Sequence, residues 1–90
     1  MLAFVNLTNA TKGYRFAEWD EDVTGMSRGD IFRACQREHG RCVSAVYVDT
    51  PAGPQAVGWY FERRDYYTDT GEPYIRGAWV ELVDNERPIA

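Results

Sequence analysis

Ser27-Arg28-Gly29-Asp30-Ile31-Phe32-Arg33-Ala34-Cys35-Gln36-Arg37-Glu38-His39-Gly40 is the one stretch that reads as a helix, and what flanks it decides the fold. Ser27 suits an N-cap, because its hydroxyl can accept from a free amide of the first turn, and Asp30 stands where a capping box carries its acid. The helix is predicted from about Arg28 to His39, with Gly40 as a left-handed stop. At 100° per residue, Ile31, Phe32, Cys35 and His39 share an arc of roughly 100°, while Asp30, Arg33 and Arg37 lie opposite. One face is expected to be buried and the other solvated.

Downstream, the period changes from 3.6 to 2. Cys42-Val43-Ser44-Ala45-Val46-Tyr47-Val48 is a β-branched run closed by Asp49-Thr50-Pro51-Ala52-Gly53-Pro54, where Pro51 fits a type I corner and Gly53 a bulged hairpin. From Gln55 to Arg63, Val57, Trp59 and Phe61 alternate with Gly58, Tyr60 and Glu62, and the first set is assigned to the helix side. After a turn at Thr68-Asp69-Thr70-Gly71-Glu72-Pro73, Tyr74 to Val83 forms a last strand. Upstream, Leu2 to Leu7 and Tyr14 to Trp19 make a hairpin across Thr8-Asn9-Ala10-Thr11-Lys12-Gly13, and Asp20-Glu21-Asp22 is read as ending it. The order β-β-α-β-β-β, with short β-β connections, predicts an α+β fold: a single antiparallel sheet of about five strands with one helix packed on one face. Residues 1–90 are read as one small domain, with a short polar tail over 84–90 that frays.

Ninety residues support one small core, and 44% apolar with 14% aromatic content supplies it. A formal charge of −4 argues against binding driven by bulk positive charge, whether to a phosphate backbone or to an anionic membrane. The N-terminus, Met1 to Leu7, has no basic leader, and Asn6, Asn9 and Lys12 interrupt it, so the expected location is the cytoplasm, with no membrane partner. Two cysteines are too few for a disulfide framework, and reduced thiols are expected. The sequons at Asn6 and Asn9 are read as chance without an export signal, and so is the adhesion tripeptide Arg28-Gly29-Asp30 at a helix start.

The residues that could carry chemistry are few. Cys35, His39 and Cys42 have a spacing that could converge near the helix end as zinc donors, but a structural site normally takes a fourth ligand. The plainer assignment makes Cys35 a small core residue, His39 a favourable partner of the helix C-terminal dipole and Cys42 the start of a strand. Glu18, Asp20, Glu21 and Asp22 lack the glycine and alternating oxygens of a calcium loop. No triad, nucleophile elbow, phosphate loop or dinucleotide fingerprint is present. The expectation is a protein that is not an enzyme, with no catalytic residues, no metal and no cofactor.

A surface is the more informative feature. A helix of 12 residues, about 18 Å long, covers only the middle of one sheet face. Tyr60, Tyr74, Val80 and Leu82, with Ala78, are assigned to the uncovered face opposite Trp79, forming an apolar patch for a partner protein or a second copy. The competing surface is an arginine set, Arg33, Arg37, Arg41, Arg63 and Arg64, near Tyr66 and Tyr67, which could grip single-stranded nucleic acid by stacking and phosphate contact.

The stretch Ser27 to Glu38, then Gly58-Trp59-Tyr60-Phe61-Glu62-Arg63-Arg64, and Tyr74 to Val83 with Trp79-Val80-Glu81 resemble small proteins of unassigned function encoded by phages of actinobacteria and their hosts. The resemblance covers most of the chain from the helix onward and rests on a hydrophobic skeleton, so it carries over no functional residue. It implies a cytoplasmic accessory product, made during infection or from a prophage, that binds a host protein. Together these observations point first to a non-enzymatic protein–protein interaction module docking through its open sheet face or an edge strand. The alternative is a nucleic-acid-binding accessory protein.

Overall fold

The structure, a computed structural model, describes residues 1–83; the polar tail over 84–90 lies outside the described residues. The elements are β1 (Leu2–Asn9), β2 (Tyr14–Asp22), α1 (Arg28–His39), β3 (Arg41–Thr50), β4 (Gly53–Tyr66) and β5 (Pro73–Val83). The five strands form one antiparallel sheet with α1 on one face, as the element order predicts, and their order across the sheet is β2-β1-β5-β4-β3. The first hairpin joins the β3-β4-β5 meander through β1 and β5, so β2 and β3 are the two edges and α1 carries the chain from one to the other.

Local chemistry fixes the helix ends. Ser27 Oγ accepts from Asp30 N at 3.1 Å, and the Gly40 amide donates to the Gln36 carbonyl at φ +97°. The Glu38 carbonyl, which has no amide partner within the helix, accepts from Arg63 Nη1 at 2.9 Å and Arg76 Nη2 at 3.0 Å. Two strands thus hold the negative end of the helix dipole with cations. Gly53, at φ +110°, turns the β3–β4 hairpin after Pro51 and Ala52.

The core lies between α1 and the middle of the sheet. Ile31 packs into a cluster with Ala3, Val5, Val23, Trp59, Phe61, Ala78 and Val80. Phe32 meets the Trp59 ring edge-on at 5.7 Å and the Phe61 ring at 5.7 Å in a tilted arrangement. Ala78 of the interior strand β5 lies opposite Phe61 of β4, and both are fully buried beneath the helix.

Two boundaries differ from the sequence reading. Asp20, Glu21 and Asp22 continue β2, paired with Phe4, Ala3 and Leu2, because acids on an edge strand stay in water while the backbone still bonds. β4 runs 14 residues, and its β5 pairing starts only at Gly58, so the β3–β4 hairpin projects past β5 as a two-stranded arm. This long ribbon accounts for the 49 Å extent of the molecule. Among the described residues, no helix is long and apolar enough to cross a membrane.

Candidate functional site

The register corrects the apolar patch expected from Tyr60, Tyr74, Val80 and Leu82. Directly opposed residues share a sheet face, and β4 pairs with β5 as Trp59↔Val80, Tyr60↔Trp79 and Phe61↔Ala78. Val80, at 0% exposure, lies under the helix with Trp59 and Phe61. By strand alternation Tyr74 and Leu82 point to that same side, and Leu82 packs against the core cluster. Tyr60 alone belongs to the open face, where its neighbour is Trp79. The physical reason is that both faces of β5 are apolar, so alternation gives its two sets but not which one the helix covers.

The open face is furnished with cover of its own. A Cβ at Gly58 would come within 2.6 Å of Trp79 Cη2, and one at Gly77 would collide with the Tyr60 ring. Each large ring therefore lies flat across the glycine of the neighbouring strand, shielding backbone that no other layer protects. Tyr60 Oη donates to Glu62 Oε2 at 2.9 Å, and burial foremost, with that carboxylate second, pushes the phenol up to about 12. An interior-strand glycine is the sequence signal for such close approach.

The arginine set is not one surface. Arg33 and Arg37 are exposed on the helix, with Arg33 paired to Asp30 at 2.6 Å. Arg63 caps the helix carbonyl, which gives it a structural role. Arg41, opposite Glu62, and Arg64, opposite Ile75, fall on the other sheet face with Tyr60 and Trp79. The sequence groups a solvated helix face with a basic doublet at a strand end, and it does not show on which side of the sheet each falls.

Cys35, Glu38 and His39 line a cavity of about 290 Å³ with Trp19, Glu21 and Ala34, between α1 and β2. Burial, with help from Glu21, pushes the Cys35 thiol up to about 11, which keeps it protonated and a poor nucleophile. His39 is 6% exposed, and burial, then Arg76, holds it below its ordinary range, so it is neutral. Cys42 bonds weakly to the Ser44 carbonyl, and both thiols are free. Among the described residues no three His, Cys, Asp or Glu side chains are arranged to hold a metal ion.

The two sheet edges differ sharply. β2 carries Arg15, Glu18, Asp20, Glu21 and Asp22 along its length. β3 has no charge between Arg41 and Asp49, and Val43, Val46, Tyr47 and Val48 are 45–62% exposed. One bulge lies at its start, at Val43, leaving Ser44 to Thr50 continuous on the β3 side. Charged edges repel added strands, whereas an uncharged β-branched edge offers unpaired amides and carbonyls next to apolar side chains. The sequence shows this run, but only the strand order shows that it is an edge.

A second unassigned feature joins Tyr14 and Phe16 of β2, Asn9 of β1, and Tyr67 and Tyr74 from the β4–β5 turn and β5 around a cavity of about 240 Å³. These positions are up to 65 residues apart, so nothing in the linear sequence signals their meeting. The chain matches no protein-family model, no curated protein and no solved structure.

Proposed function

We propose that this chain is a non-enzymatic protein interaction module whose docking surface is the free edge of β3. The observation that carries the reading is the contrast between the edges: β2 is guarded by charge, and β3 presents Val46, Tyr47 and Val48 uncharged and exposed. Main-chain bonds to an added strand would supply affinity, and side-chain contacts on the two faces would supply selectivity. The added strand comes from a second copy or, in keeping with the resemblance to small phage accessory proteins, from a host protein in the cytoplasm. The dispersed arginines give the nucleic-acid reading no single surface.

The test compares the wild type with Val46→Lys, a substitution at an exposed position that leaves the core untouched. Sedimentation velocity over a concentration series reads self-association, and affinity capture from a bacterial lysate, with nuclease treatment in parallel, reads a foreign partner. Association of either kind that Val46→Lys removes supports the reading. Association that persists in Val46→Lys and in Val48→Lys, or no association at all, overturns it.

A further inference from the structure

The aromatic cavity lies on the helix side of the sheet, just past the point where α1 stops. Asn9 is paired with Arg76, which holds the helix end, and the β1–β2 turn is tied to β5 by Ala10 N to the Ile75 carbonyl at 2.8 Å and Ile75 N to Thr11 Oγ1 at 2.9 Å. Tyr67 and Tyr74 stack with centroids 4.7 Å apart and planes 21° from parallel. Tyr14 and Phe16 complete the wall from the edge strand and are 49% and 46% exposed. Half-exposed rings at an edge contribute little to the core, which leaves the cavity they line as their distinguishing feature.

The polar content of the site narrows what it accepts. Asn9, 1% exposed, is the only lining residue that is not aromatic, and its amide is already committed. Its Nδ2 donates to Tyr67 Oη at 2.7 Å, and its Oδ1 accepts from Lys12 N at 2.9 Å. Three tyrosine hydroxyls are the remaining polar groups of the lining, so a guest with few or no N–H groups asks least of it. The π faces of the rings attract positive charge, and the cluster already shows this: Lys12 Nζ lies 5.2 Å from the Tyr67 centroid. Tyr67 lines both this cavity and a neighbouring depression, where Lys12, Asp69 and Glu72 stand with it, so Lys12 takes up part of the Tyr67 ring and leaves Tyr14, Phe16 and Tyr74 as the surfaces open to a guest. The chain's net charge of −4 also favours cations at long range. A cavity of about 240 Å³ suits a headgroup better than a drug-sized molecule, which needs about 300 Å³ or more.

We propose that the cavity walled by Tyr14, Phe16, Tyr67 and Tyr74 binds a quaternary ammonium group, as carried by choline or by trimethylated lysine. Such a cation has no N–H to satisfy, loses little hydration on entry and is held by contact with the rings. The site is independent of the β3 edge and stands whether or not that edge docks a partner.

The experiment titrates the full chain, followed by two-dimensional NMR, with choline, with Nε-trimethyl-lysine and with 3,3-dimethylbutan-1-ol, the uncharged carbon counterpart of choline. The same titrations are run on Phe16→Ala and Tyr14→Ala, whose exposed positions keep the fold, as checked by an unchanged amide spectrum away from the site. The expected result is saturable shifts at Tyr67 and Tyr74 with at least one cation, the tighter one naming the source. The alcohol should bind about tenfold more weakly, and each alanine variant should lose about tenfold in affinity. Equal binding of the alcohol, retention of binding in both variants, or no saturable shift with either cation overturns the proposal.

Discussion

Val80 and Tyr60 sit on neighbouring strands and share an apolar character, yet they do different things because one has the helix above it and the other does not. Val80→Ala should lower stability by about 2 kcal/mol in urea unfolding, since the space left beneath Ile31 and Trp59 closes only in part. His39 offers a second residue-level consequence. Its folded pKa lies below the ordinary 6.5, through burial first and Arg76 second, so the folded state prefers the neutral ring. The unfolded chain takes up a proton as pH falls through 6.5 and the folded chain resists it, so this contribution is present above that value and is lost below it. Asp22 and Asp30 are held below their ordinary 3.8 by bonds from Thr24 and from Arg33 respectively, so they act only in a more acidic window. Urea midpoints should therefore fall between pH 7 and pH 5 in the wild type, and His39→Gln should flatten that slope. Cys35 supplies a third check: a thiol pushed from 9.0 to about 11 carries roughly 100-fold less thiolate at pH 8, so iodoacetamide should label it far more slowly than a free cysteine.

Among the elements, α1 shows how local and distant chemistry combine at one helix end. Gly40 adopts φ +97°, and a Cβ there would stand 2.5 Å from the Glu62 carbonyl oxygen and 2.6 Å from Arg63 Cβ. Gly40→Ala should cost about 2–3 kcal/mol, because strain at positive φ is added to a collision with backbone that cannot turn away. Gly53, with φ +110° and no atom within 4 Å of a built Cβ, carries the strain alone. Gly53→Ala should cost about 1 kcal/mol, and paired melts of the two variants separate the terms. The helix limits were legible because capping is local: Ser27, Asp30 and Gly40 announce them. Strand existence was legible for the same reason, from alternation around Trp59 and Phe61. The facing of β5 was not, since Ile75, Trp79 and Val83 on one side and Ala78, Val80 and Leu82 on the other are both apolar. Only pairing with β4 chooses between them. Asp20 to Asp22 misled for a related reason: whether acids end a strand depends on whether that strand is an edge.

At the scale of the whole molecule, the order β2-β1-β5-β4-β3 places every interior strand between partners and, among the described residues, leaves two edges, which makes their difference a property of the fold as much as of composition. Had the β3 run fallen in the interior, Val46 and Val48 would be ordinary sheet residues; at the rim they are 48% and 45% exposed. The projecting arm strengthens this, because beyond Gly58 the hairpin lacks support from β5, and a two-stranded ribbon alone is marginally stable in water. Its main tether to the helix is Arg28 Nε, which donates to the Ala56 carbonyl at 3.2 Å. Hydrogen exchange can read both edges in one experiment. In dilute protein, the outward amides of β3 and β2 should exchange fast, and the β1, β5 and inner β4 amides slowly. On raising the concentration, or on adding a captured partner, the outward amides over Ser44 to Val48 should slow while those of β2 remain fast. Slowing at β2 instead, or at neither edge when association is present, would place the contact elsewhere and remove β3 from the docking surface.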